Sequence, residues 1–424
     1  MKSLSQMLRI VFALATGLSL LASACGEAGK AQVVLAQSEK PRQTSPAASE
    51  SALTEAAAGN NAFAFGLYQA IRGGEGNLFY SPYSISLALA MTYAGARGET
   101  EKQMAEALHF TLPQEALHPA FNALDLQLAQ PPQTDEGFQL RTANSLWGQK
   151  DFTFRAEYLD LLAENYGAGL RLVDFKDDAA RQQARSAINA WVSAQTEDKI
   201  KELLAKGILT QDTRLVLANA IYFKAEWEKH FYGTQDDVFT LLDGATVVVP
   251  IMTNRLVVPY ADGEGYQAVA IPYKGSRMQM VVLLPDEGQF DAFEQTLDGE
   301  RFSAILQALQ PTDVKVYLPK FDYDASLELK PALSDMGMPD AFDWQRADFS
   351  GMTGERDLVL SHVVHKAFVA VDEEGTEAAA ATGVVAEIVS MPFLMRVDHP
   401  FLFVIRDAET GAILFVGRVL DPTK

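Results

Sequence analysis

Few side chains in this sequence combine the types and the spacing that enzyme chemistry requires. The 424 residues include one cysteine, Cys25, and six histidines, of which only His362 and His365 form a close pair. On a strand, residues three positions apart face opposite sides, so this pair does not suit a metal site, and His365 fits better as a buried hydrogen-bonding residue. The sequence also lacks a Gly-x-Ser-x-Gly motif, a phosphate-binding loop and a helical His-Glu-x-x-His motif. We therefore expect neither a catalytic centre nor a metal or other cofactor.

Cys25 lies at the end of an N-terminal segment that has the features of an export signal. Lys2 and Arg9 belong to a short basic region, and the apolar run over residues 10–21 is too short to span a bilayer comfortably. The sequence Ala22-Ser23-Ala24 then precedes the cysteine. This arrangement resembles a bacterial lipobox, which predicts a signal peptide over residues 1–24 and a lipid on Cys25. Secretory cleavage at the Ala-x-Ala-like site, without a lipid, is the alternative.

The N-terminal features predict where the protein is located and how it is attached. We expect an exported protein that is anchored by a lipid to the cell envelope, at the outer membrane or the surface, or a secreted extracellular protein if Cys25 carries no lipid. Gly26 directly after the cysteine favours the outer membrane in Gram-negative sorting. Residues 25–52 are rich in Ala, Gln, Ser, Glu and Pro, which predicts a flexible tether.

Composition and charge exclude several classes of protein. Apolar residues make up 48% of the chain, which supplies a large core, and a single cysteine cannot form a disulfide within the chain. The formal net charge is −20, and the sequence contains no cluster of Lys and Arg. Nucleic acid is therefore not an expected partner, because its recognition depends on basic side chains that neutralise phosphates.

The elements predicted from the pattern indicate a mixed α+β fold. Ser81 followed by Pro82 predicts the start of a buried helix that ends near residues 95–98. Residues 214–227 predict a long buried strand, in which Asn219 must find a hydrogen-bonded site. Other predicted strands occur in runs and do not alternate with helices, which favours α+β over a doubly wound parallel sheet.

Residues 373–383, with the sequence EEGTEAAAATG, fit two conformations. Locally they predict a helix, because alanine has the best helix propensity and Gly383 suits the residue after a helix. As a strand, the alternate residues from Thr376 to Ile388 would form one small, uncharged face, whereas Glu377 and Glu387 would face the other side. The segment lies in a long loop between predicted strands, and loops of that length are usually functional or disordered.

Several motifs in this order resemble the serpin family. They are Asn77-Leu-Phe-Tyr-Ser-Pro-Tyr-Ser-Ile, Gly95-Ala-Arg-Gly-Glu-Thr, Leu217-Ala-Asn-Ala-Ile-Tyr-Phe-Lys-Ala-Glu-Trp, Leu318-Pro-Lys-Phe, Val364-His-Lys, residues 373–382 and His399-Pro-Phe-Leu-Phe. The resemblance covers residues 53–424. It implies one domain with three β-sheets, eight or nine helices and an exposed reactive-centre loop over about residues 373–398.

The resemblance implies that this protein inhibits serine proteases and is not itself an enzyme. A protease cleaves the loop and forms an acyl-enzyme, and the freed loop then inserts as a strand into the large sheet and traps the protease. Residues that enter the sheet must be small or uncharged on the inward face, which the alternation described above satisfies. The hinge residues that the resemblance assigns are Glu373, Gly375, Thr376, Ala378, Ala379, Ala380, Ala381 and Thr382.

The family spacing from Glu373 places the reactive bond between Val389 and Ser390. A valine at the specificity position suits the small aliphatic pocket of an elastase-like protease or the broad pocket of a subtilisin-like one. A shift of one residue, to the bond between Ile388 and Val389, leaves this expectation unchanged. Cleavage at Met391 or Phe393 is the alternative, and it would make chymotrypsin-like proteases the targets.

Matching of the same motifs assigns two further groups of residues. The polar cluster at the point where the sheet opens comprises Ser81, Ser84, Asn219 and His365. The region where the loop first enters the sheet includes Trp227 and Lys320, and an ion pair between Lys320 and Glu373 is expected.

Two other functions remain open from the sequence. One is a serpin without inhibitory activity that has a binding or chaperone-like role. The other is a membrane-tethered lipoprotein with a role in adhesion or structure. In each case we expect a monomer.

Overall fold

The computed structural model describes residues 32–129, 138–376 and 391–424. These residues form sixteen strands and ten α-helices, together with a 3-10 helix at Pro339–Phe342. The strands are β1 (Val34–Ala36), β2 (Leu78–Tyr80), β3 (Gln139–Gln149), β4 (Leu170–Val173), β5 (Leu215–Glu226), β6 (Thr234–Thr240), β7 (Thr246–Gly263), β8 (Tyr266–Pro272), β9 (Met278–Pro285), β10 (Gln310–Pro319), β11 (Phe321–Glu328), β12 (Leu360–Val371), β13 (Gly375–Thr376), β14 (Phe393–Arg396), β15 (Phe401–Asp407) and β16 (Ile413–Val419). The helices are α1 (Glu50–Ile71), α2 (Pro82–Tyr93), α3 (Gly98–Ala107), α4 (Gln114–Leu128), α5 (Ala156–Tyr166), α6 (Asp178–Gln195), α7 (Phe290–Gln295), α8 (Gly299–Ala308), α9 (Lys330–Asp335) and α10 (Ser350–Thr353).

The strands of the described ranges form two sheets, and the elements that matter for function meet in the first. This seven-stranded sheet has the order β1-β4-β3-β5-β13-β12-β11. The second sheet has nine strands, in the order β14-β10-β7-β8-β9-β15-β16-β2, with β6 also paired to β7. The expected α+β architecture with several sheets is confirmed. The serpin resemblance implies three sheets, whereas here the long strand β7 pairs with β6 and β10 and then with β8, and so joins two groups of strands into one sheet.

The strand β5 contributes its two faces to two different hydrophobic clusters. Leu215, Leu217, Ile221 and Phe223 pack in the main core, whereas the alternate residues of the strand pack in a second cluster under α6. Because strand side chains alternate between faces, a central strand buried on both sides reads as the continuous apolar run seen here. Asn219 lies on the main-core face of this strand, where it is almost fully buried.

The helix α2 begins as the sequence predicts and is buried along its whole length. The Ser81 hydroxyl accepts a hydrogen bond from the Ser84 amide, and Pro82 occupies the first helical position. Every residue of this helix is buried. A side-chain cap and a proline at this position together satisfy or remove the amide groups that a helix start would otherwise bury unpaired.

The structure differs from the flexible tether expected over residues 25–52. The described residues from 32 onward belong to the compact unit that contains the two sheets, and β1 pairs antiparallel with β4. Lys40 forms ion pairs with Asp160 and Glu164 at 3.1 and 3.2 Å. The tether prediction is therefore wrong for residues 34–43. Composition was misleading because this segment is held by backbone pairing to an open sheet edge and by polar side chains, which do not require large apolar residues.

Arg42 makes the strongest of these N-terminal contacts. Its Nε donates to Asn122 Oδ1 at 2.9 Å, and its Nη2 donates to Asp125 Oδ2 at 2.6 Å. Asp125 also accepts a hydrogen bond from the buried Tyr83 hydroxyl at 2.7 Å. The N-terminal segment is thus connected through one carboxylate to the buried helix α2. Within the described ranges, no helix is long and apolar enough to cross a membrane.

We predict that Arg42→Met lowers the free energy of unfolding by about 1.5–3 kcal/mol, because it removes charge-assisted hydrogen bonds from the partly buried Asp125. Urea denaturation followed by circular dichroism measures this change. Lys40→Met is the matched control, since the Lys40 side chain is half-exposed and its ion pairs contribute less. Equal effects of the two substitutions would contradict the assignment of Arg42 as the main N-terminal contact.

Candidate functional site

The two residues of β13 lie between β5 and β12 at one end of the seven-stranded sheet. Gly375 and Thr376 are opposite Glu226 and Ala225 of β5, and Thr376 is also opposite Val371 of β12. Both pairings are antiparallel. Below this point β5 and β12 pair directly with each other in parallel, from Leu215 to Tyr222 on the β5 side. The sheet is therefore split between β5 and β12 at the end where β13 lies, whereas the two strands are bonded directly to each other along the rest of their pairing.

Gly375 is required by the closeness of the backbone of β5. A Cβ atom built on Gly375 would lie 2.1 Å from the carbonyl oxygen of Ala225 and 2.7 Å from the Cα atom of Glu226. Neither of these backbone atoms can move aside as a flexible side chain would. A residue with a side chain at this position would displace β13 from the gap.

Thr376 is the first hinge residue whose side chain enters the core. It is 1% exposed, and its hydroxyl shares a 2.7 Å hydrogen bond with the Tyr273 hydroxyl. The Tyr273 ring stacks on Trp227, with ring centroids 4.5 Å apart, and the Trp227 indole N–H donates to the Asp372 carbonyl oxygen at 3.0 Å. Burial raises the pKa of Tyr273, and the hydrogen bond with Thr376 offsets part of that shift. Trp227 is thus in contact with Asp372, at the start of the short turn that precedes β13, and with the tyrosine that bonds to Thr376.

Lys320 and Glu373 form the ion pair that the sequence predicts. The distance from Lys320 Nζ to Glu373 Oε2 is 2.6 Å, and the other oxygen of the carboxylate accepts a hydrogen bond from the Thr234 hydroxyl. Burial raises the pKa of Glu373, but the hydrogen bonds from Lys320 and Thr234 outweigh burial, so the pKa lies below its ordinary value. Both side chains are about one-third exposed, so the pair contributes about 1 kcal/mol or less to stability.

The neighbouring Glu374 is shifted in the opposite direction. Burial, followed by repulsion from Asp372, raises the pKa of its carboxyl group. Its backbone carbonyl nevertheless helps to position the hinge, because it accepts a 2.7 Å hydrogen bond from the Trp227 amide. Asp372 Oδ1 in turn accepts from the amides of Glu374 and Gly375 at 2.9 and 3.2 Å. The turn before β13 is therefore held by hydrogen bonds to the Asp372 side chain within the turn and by the backbone hydrogen bond with Trp227.

Ser81, Ser84, Asn219 and His365, predicted as one cluster, are brought together below the split. The Asn219 amide donates to the Ser84 carbonyl oxygen and hydroxyl at 2.9 and 2.7 Å, and its oxygen contacts the His365 ring. All four residues are at most 1% exposed. Asn219 and His365 are also direct partners in the pairing of β5 with β12. The cluster thus connects the start of α2 with the two strands that must separate if the split lengthens.

The hydrogen bonds of His365 determine which of its ring nitrogens carries the proton. The Ser81 backbone amide donates to Nε2 at 3.1 Å, so Nε2 is the acceptor and Nδ1 carries the hydrogen that faces Asn219 Oδ1. Complete burial lowers the pKa of His365 to about 3. The ring is therefore neutral at physiological pH, and protonation of Nε2 would place a hydrogen against the Ser81 amide.

Three residues of the site, Asn144, Tyr273 and Thr234, were not predicted from the sequence. Asn144 of β3 lies opposite Asn219 and contacts it, and it also accepts a 3.3 Å hydrogen bond from the Ser84 hydroxyl. Tyr273 and Thr234 meet the hinge as described above. Asparagine is depleted from strands, so its presence in the strand-like run over residues 141–147 was an available signal for Asn144. Tyr273 and Thr234 gave none, because their roles depend on which distant residue they meet.

Several predicted residues lie outside the described ranges. They are Val389 and Ser390 of the expected reactive bond, the hinge residues Ala378, Ala379, Ala380, Ala381 and Thr382, and Cys25. The residues of the two alternative cleavage sites, Met391 and Phe393, lie within the described ranges. Met391 is 97% exposed and Phe393 is 56% exposed, so the segment directly after the expected bond is accessible to a protease.

Comparisons with known proteins agree with this geometry. The family model described as Serpin (serine protease inhibitor) matches residues 58–422. An uncharacterized serpin-like protein of Thermococcus kodakarensis is 41% identical over 369 residues, which cover 85% of this chain and 84% of that protein. The leukocyte elastase inhibitor of Sus scrofa is 40% identical over 387 residues, which cover 87% of this chain and all of that protein. The crystal structure of tengpin, a thermophilic serpin, in its native state is similar with a TM-score of 0.81 and 30% identity, over 90% of this chain and 97% of that one.

The match over most of the chain shows that this protein belongs to the serpin family. Serpins are protease inhibitors and not enzymes. The His365 ring is consistent with that role, because it is sealed from solvent and both of its nitrogens have structural partners. In the described residues, no group of three or more His, Cys, Asp or Glu side chains has the arrangement that could hold a metal ion.

We predict that His365 makes the protein less stable as the pH falls. The unfolded chain binds a proton on this histidine below about pH 6.5, whereas the folded protein does so only near pH 3. The contribution of neutral His365 to the free energy of unfolding is therefore fully present above pH 6.5. Below that pH, the free energy of unfolding falls by about 1.4 kcal/mol per pH unit. His365→Gln keeps a neutral donor and acceptor, so we expect it to reduce this slope between pH 4 and 6.

Urea denaturation at several pH values measures the slope. His399→Gln is the control, because hydrogen bonds with Asp398 and with the Pro285 carbonyl outweigh burial and raise the pKa of His399. A histidine with a raised pKa is protonated in both states below pH 6, so its removal leaves the acid slope unchanged. An unaltered slope in His365→Gln would show that His365 is not held neutral.

Proposed function

We propose that this protein inhibits serine-type endopeptidases as a suicide substrate, acting as a monomer. In the proposed reaction the protease serine attacks the carbonyl carbon of Val389, the bond to Ser390 breaks, and the amine of Ser390 leaves with a proton. The ester between Val389 and the protease serine holds the two proteins together. The freed segment after Thr376 then extends β13 between β5 and β12, which draws the protease away from its starting position before water cleaves the ester.

The observation that carries this proposal is the position of Gly375 and Thr376 in the split between β5 and β12. Continuation of the β13 register would place Ala378, Ala380 and Thr382 opposite Phe223, Ile221 and Asn219 of β5. These three β5 residues face the main core, and the incoming residues are small and uncharged. Insertion also exchanges one parallel strand pairing for two antiparallel ones, and antiparallel pairing is the more stable type.

The proposed targets are elastase-like or subtilisin-like proteases. A valine in the specificity pocket fits a small aliphatic or broad site and suits a trypsin-like pocket poorly. The name of the 40% identical relative, leukocyte elastase inhibitor, supports this choice. Cleavage at Met391 or Phe393, with chymotrypsin-like targets, is the competing assignment.

Incubation with elastase, subtilisin, chymotrypsin and trypsin, followed by an SDS gel, tests the proposal. We expect a covalent complex with elastase or subtilisin and N-terminal sequence beginning at Ser390 in the released fragment. We further predict that Val389→Arg lowers the rate of elastase inhibition by about 100-fold or more and creates inhibition of trypsin, because the arginine requires an acidic pocket. Fragments that begin after Phe393, or a variant with unchanged targets, would contradict this reactive bond.

A second prediction tests the alternation of the inserted residues. The continued register places Ala380 opposite Ile221 and Ala367, which are fully buried, so Ala380→Glu would force a charge into the core. The penalty of about 3–5 kcal/mol would favour ester hydrolysis, and the variant would be cleaved as a substrate without forming complex.

Ala381→Glu is the matched control for Ala380→Glu. Position 381 would face the other side of the sheet, opposite Lys366, whose ammonium can pair with the new carboxylate. We expect this variant to keep most of its covalent complex with elastase. Equal loss of complex in the two variants would refute the alternation.

A serpin without inhibitory activity, and a tethered lipoprotein for adhesion, remain the other candidates. The first predicts cleavage of the loop with no covalent complex and little thermal stabilisation of the cleaved form. The second predicts no reaction with any protease of the panel.

We also propose that Cys25 carries the lipid that anchors the exported protein to the cell envelope. The sequence Ala22-Ser23-Ala24-Cys25 after an apolar run supports this assignment. Expression in a bacterial host with labelled palmitate should give a labelled, membrane-associated protein. Cys25→Ser should be unlabelled and recovered from the soluble envelope fraction, and equal labelling of both forms would exclude Cys25 as the acylated residue.

A further inference from the structure

A cavity of about 490 Å³ lies at the end of the seven-stranded sheet that is opposite the hinge. It is found where β5 and β12 begin, and its walls include Arg214, Phe342, Trp344 and Ser361. The Trp344 side chain is 55% exposed, although it lies beside a pocket large enough to cover it. This part of the sheet therefore has apolar surface without a packing partner in the described ranges.

Two cations at this cavity face aromatic rings and not carboxylates. The Arg214 guanidinium lies 5.4 Å from the Trp344 ring centroid, and the Lys330 ammonium lies 5.8 Å from that of Phe342. Arg214 Nη1 donates only to the carbonyl oxygens of Gln211 and Thr213. Among the described residues neither cation has an ion-pair partner, while the third basic side chain of the cavity, His362, is bonded to Glu328. The cavity can therefore accept a carboxylate, and its own acidic side chain, Asp212, is exposed.

The register of β13 points from the hinge to this cavity. Gly375 is opposite Glu226 and Thr376 is opposite Ala225, so an uninterrupted antiparallel strand would place Glu387 opposite Arg214. The same register would place Glu377 opposite Lys224. Residues 378–386 between these two glutamates carry no charge. The two acidic residues of the segment would thus lie opposite two basic residues, Lys224 of β5 and Arg214 directly before β5.

We propose that the cavity at the start of β5 and β12 is the docking site for residues 387–389 of this chain after loop cleavage, with Glu387 paired to Arg214. This inference rests on the proposed function. Directly opposite residues of an antiparallel pair share a face, so Glu387 lies on the same side of the sheet as Arg214. Ile388 and Val389 follow along Thr213 and Asp212 and cover the apolar wall that includes Trp344.

The two charge pairs fix the register of the inserted strand. A slip of one residue would turn Glu377 and Glu387 to the main-core face and the small residues to the outer face. The uncharged residues 378–386 alone specify register weakly, because alanine side chains differ little from one another. Lys224 at the entry and Arg214 at the far end therefore select one register, and the cavity limits how far the strand can extend.

A charge-reversal cycle tests the proposal. The proteins are the wild type, Glu387→Arg, Arg214→Glu and the double variant that carries both changes, each incubated with elastase. An opposite-charge pair across strands is modest, so we expect each single variant to increase the ratio of cleaved protein to covalent complex about two- to five-fold. The melting temperature of the cleaved form should fall in both single variants, and the double variant should recover both measurements.

Lys366→Gln is the control, because the continued register places Lys366 opposite the uncharged Ala381. We expect this change to alter intact and cleaved forms equally and to leave the ratio of products unchanged. If Arg214→Glu fails to fold, Glu387→Arg and Glu387→Gln still decide the question, since they change no residue of the described strands.

The outcomes separate this inference from the proposed function. A wild type that forms no complex and gains no stability on cleavage refutes the proposed function. A wild type that forms complex normally, with unchanged single variants or a double variant that is no better than either single one, refutes the pairing of Glu387 with Arg214. A dimer of the cleaved protein that depends on Arg214, detected by sedimentation, would assign the cavity to a second copy and also overturn the proposal.

Discussion

The direct pairing of β5 with β12 below an occupied split is the constraint on which the rest of the structure depends. Gly375 and Thr376 hold the two strands apart at one end, and the parallel ladder holds them together from Tyr222 downward. A strand can grow between them only if that ladder separates. Each step would break parallel pairs between β5 and β12 and form antiparallel pairs between β13 and both strands. Because antiparallel pairing is the more stable type, a longer β13 would make the sheet more stable. The hinge and the buried cluster are therefore parts of one opening seam.

The buried polar cluster determines how that seam is held closed. Asn219 and His365 are partners across the seam, and both are bonded to the start of α2 through Ser84 and Ser81. Separation of the strands must break these contacts in the core, where an unpaired polar group costs about 1–3 kcal/mol. Continuation of β13 would bring Thr382 opposite both residues, and its hydroxyl is the one side chain between Ala378 and Ala386 that can form hydrogen bonds there. Thr382 is thus the polar residue of this stretch of the loop, and it would lie opposite the polar pair Asn219 and His365.

The N-terminal segment shows where sequence reasoning failed and why. Residues 34–43 lack the large apolar side chains that predict order, yet β1 completes the edge of the sheet beside β4 and Arg42 reaches Asp125. Neither partner is near in sequence. Composition indicates how much apolar surface a segment can bury. It does not show that the segment will pair with an open sheet edge or with a carboxylate more than eighty residues away in the sequence. The joining of two groups of strands by β7 was missed for the same reason, since one long strand can serve two neighbours.

The sequence alone determined the α+β class, the cap and proline at the start of α2, the buried strand that contains Asn219, and the pairing of Lys320 with Glu373. These features follow from local periodicity, from side-chain chemistry, or from motifs that mark a family. Tertiary structure alone decided that Gly375 lies against the Ala225 carbonyl, that Tyr273 meets Thr376, that Asn144 joins the buried cluster, and that Arg214 and Lys330 line a cavity without a carboxylate partner in the described ranges. Each of these depends on the register between distant strands. Register is set by the packing of whole faces against the core, and no short segment of sequence contains that information.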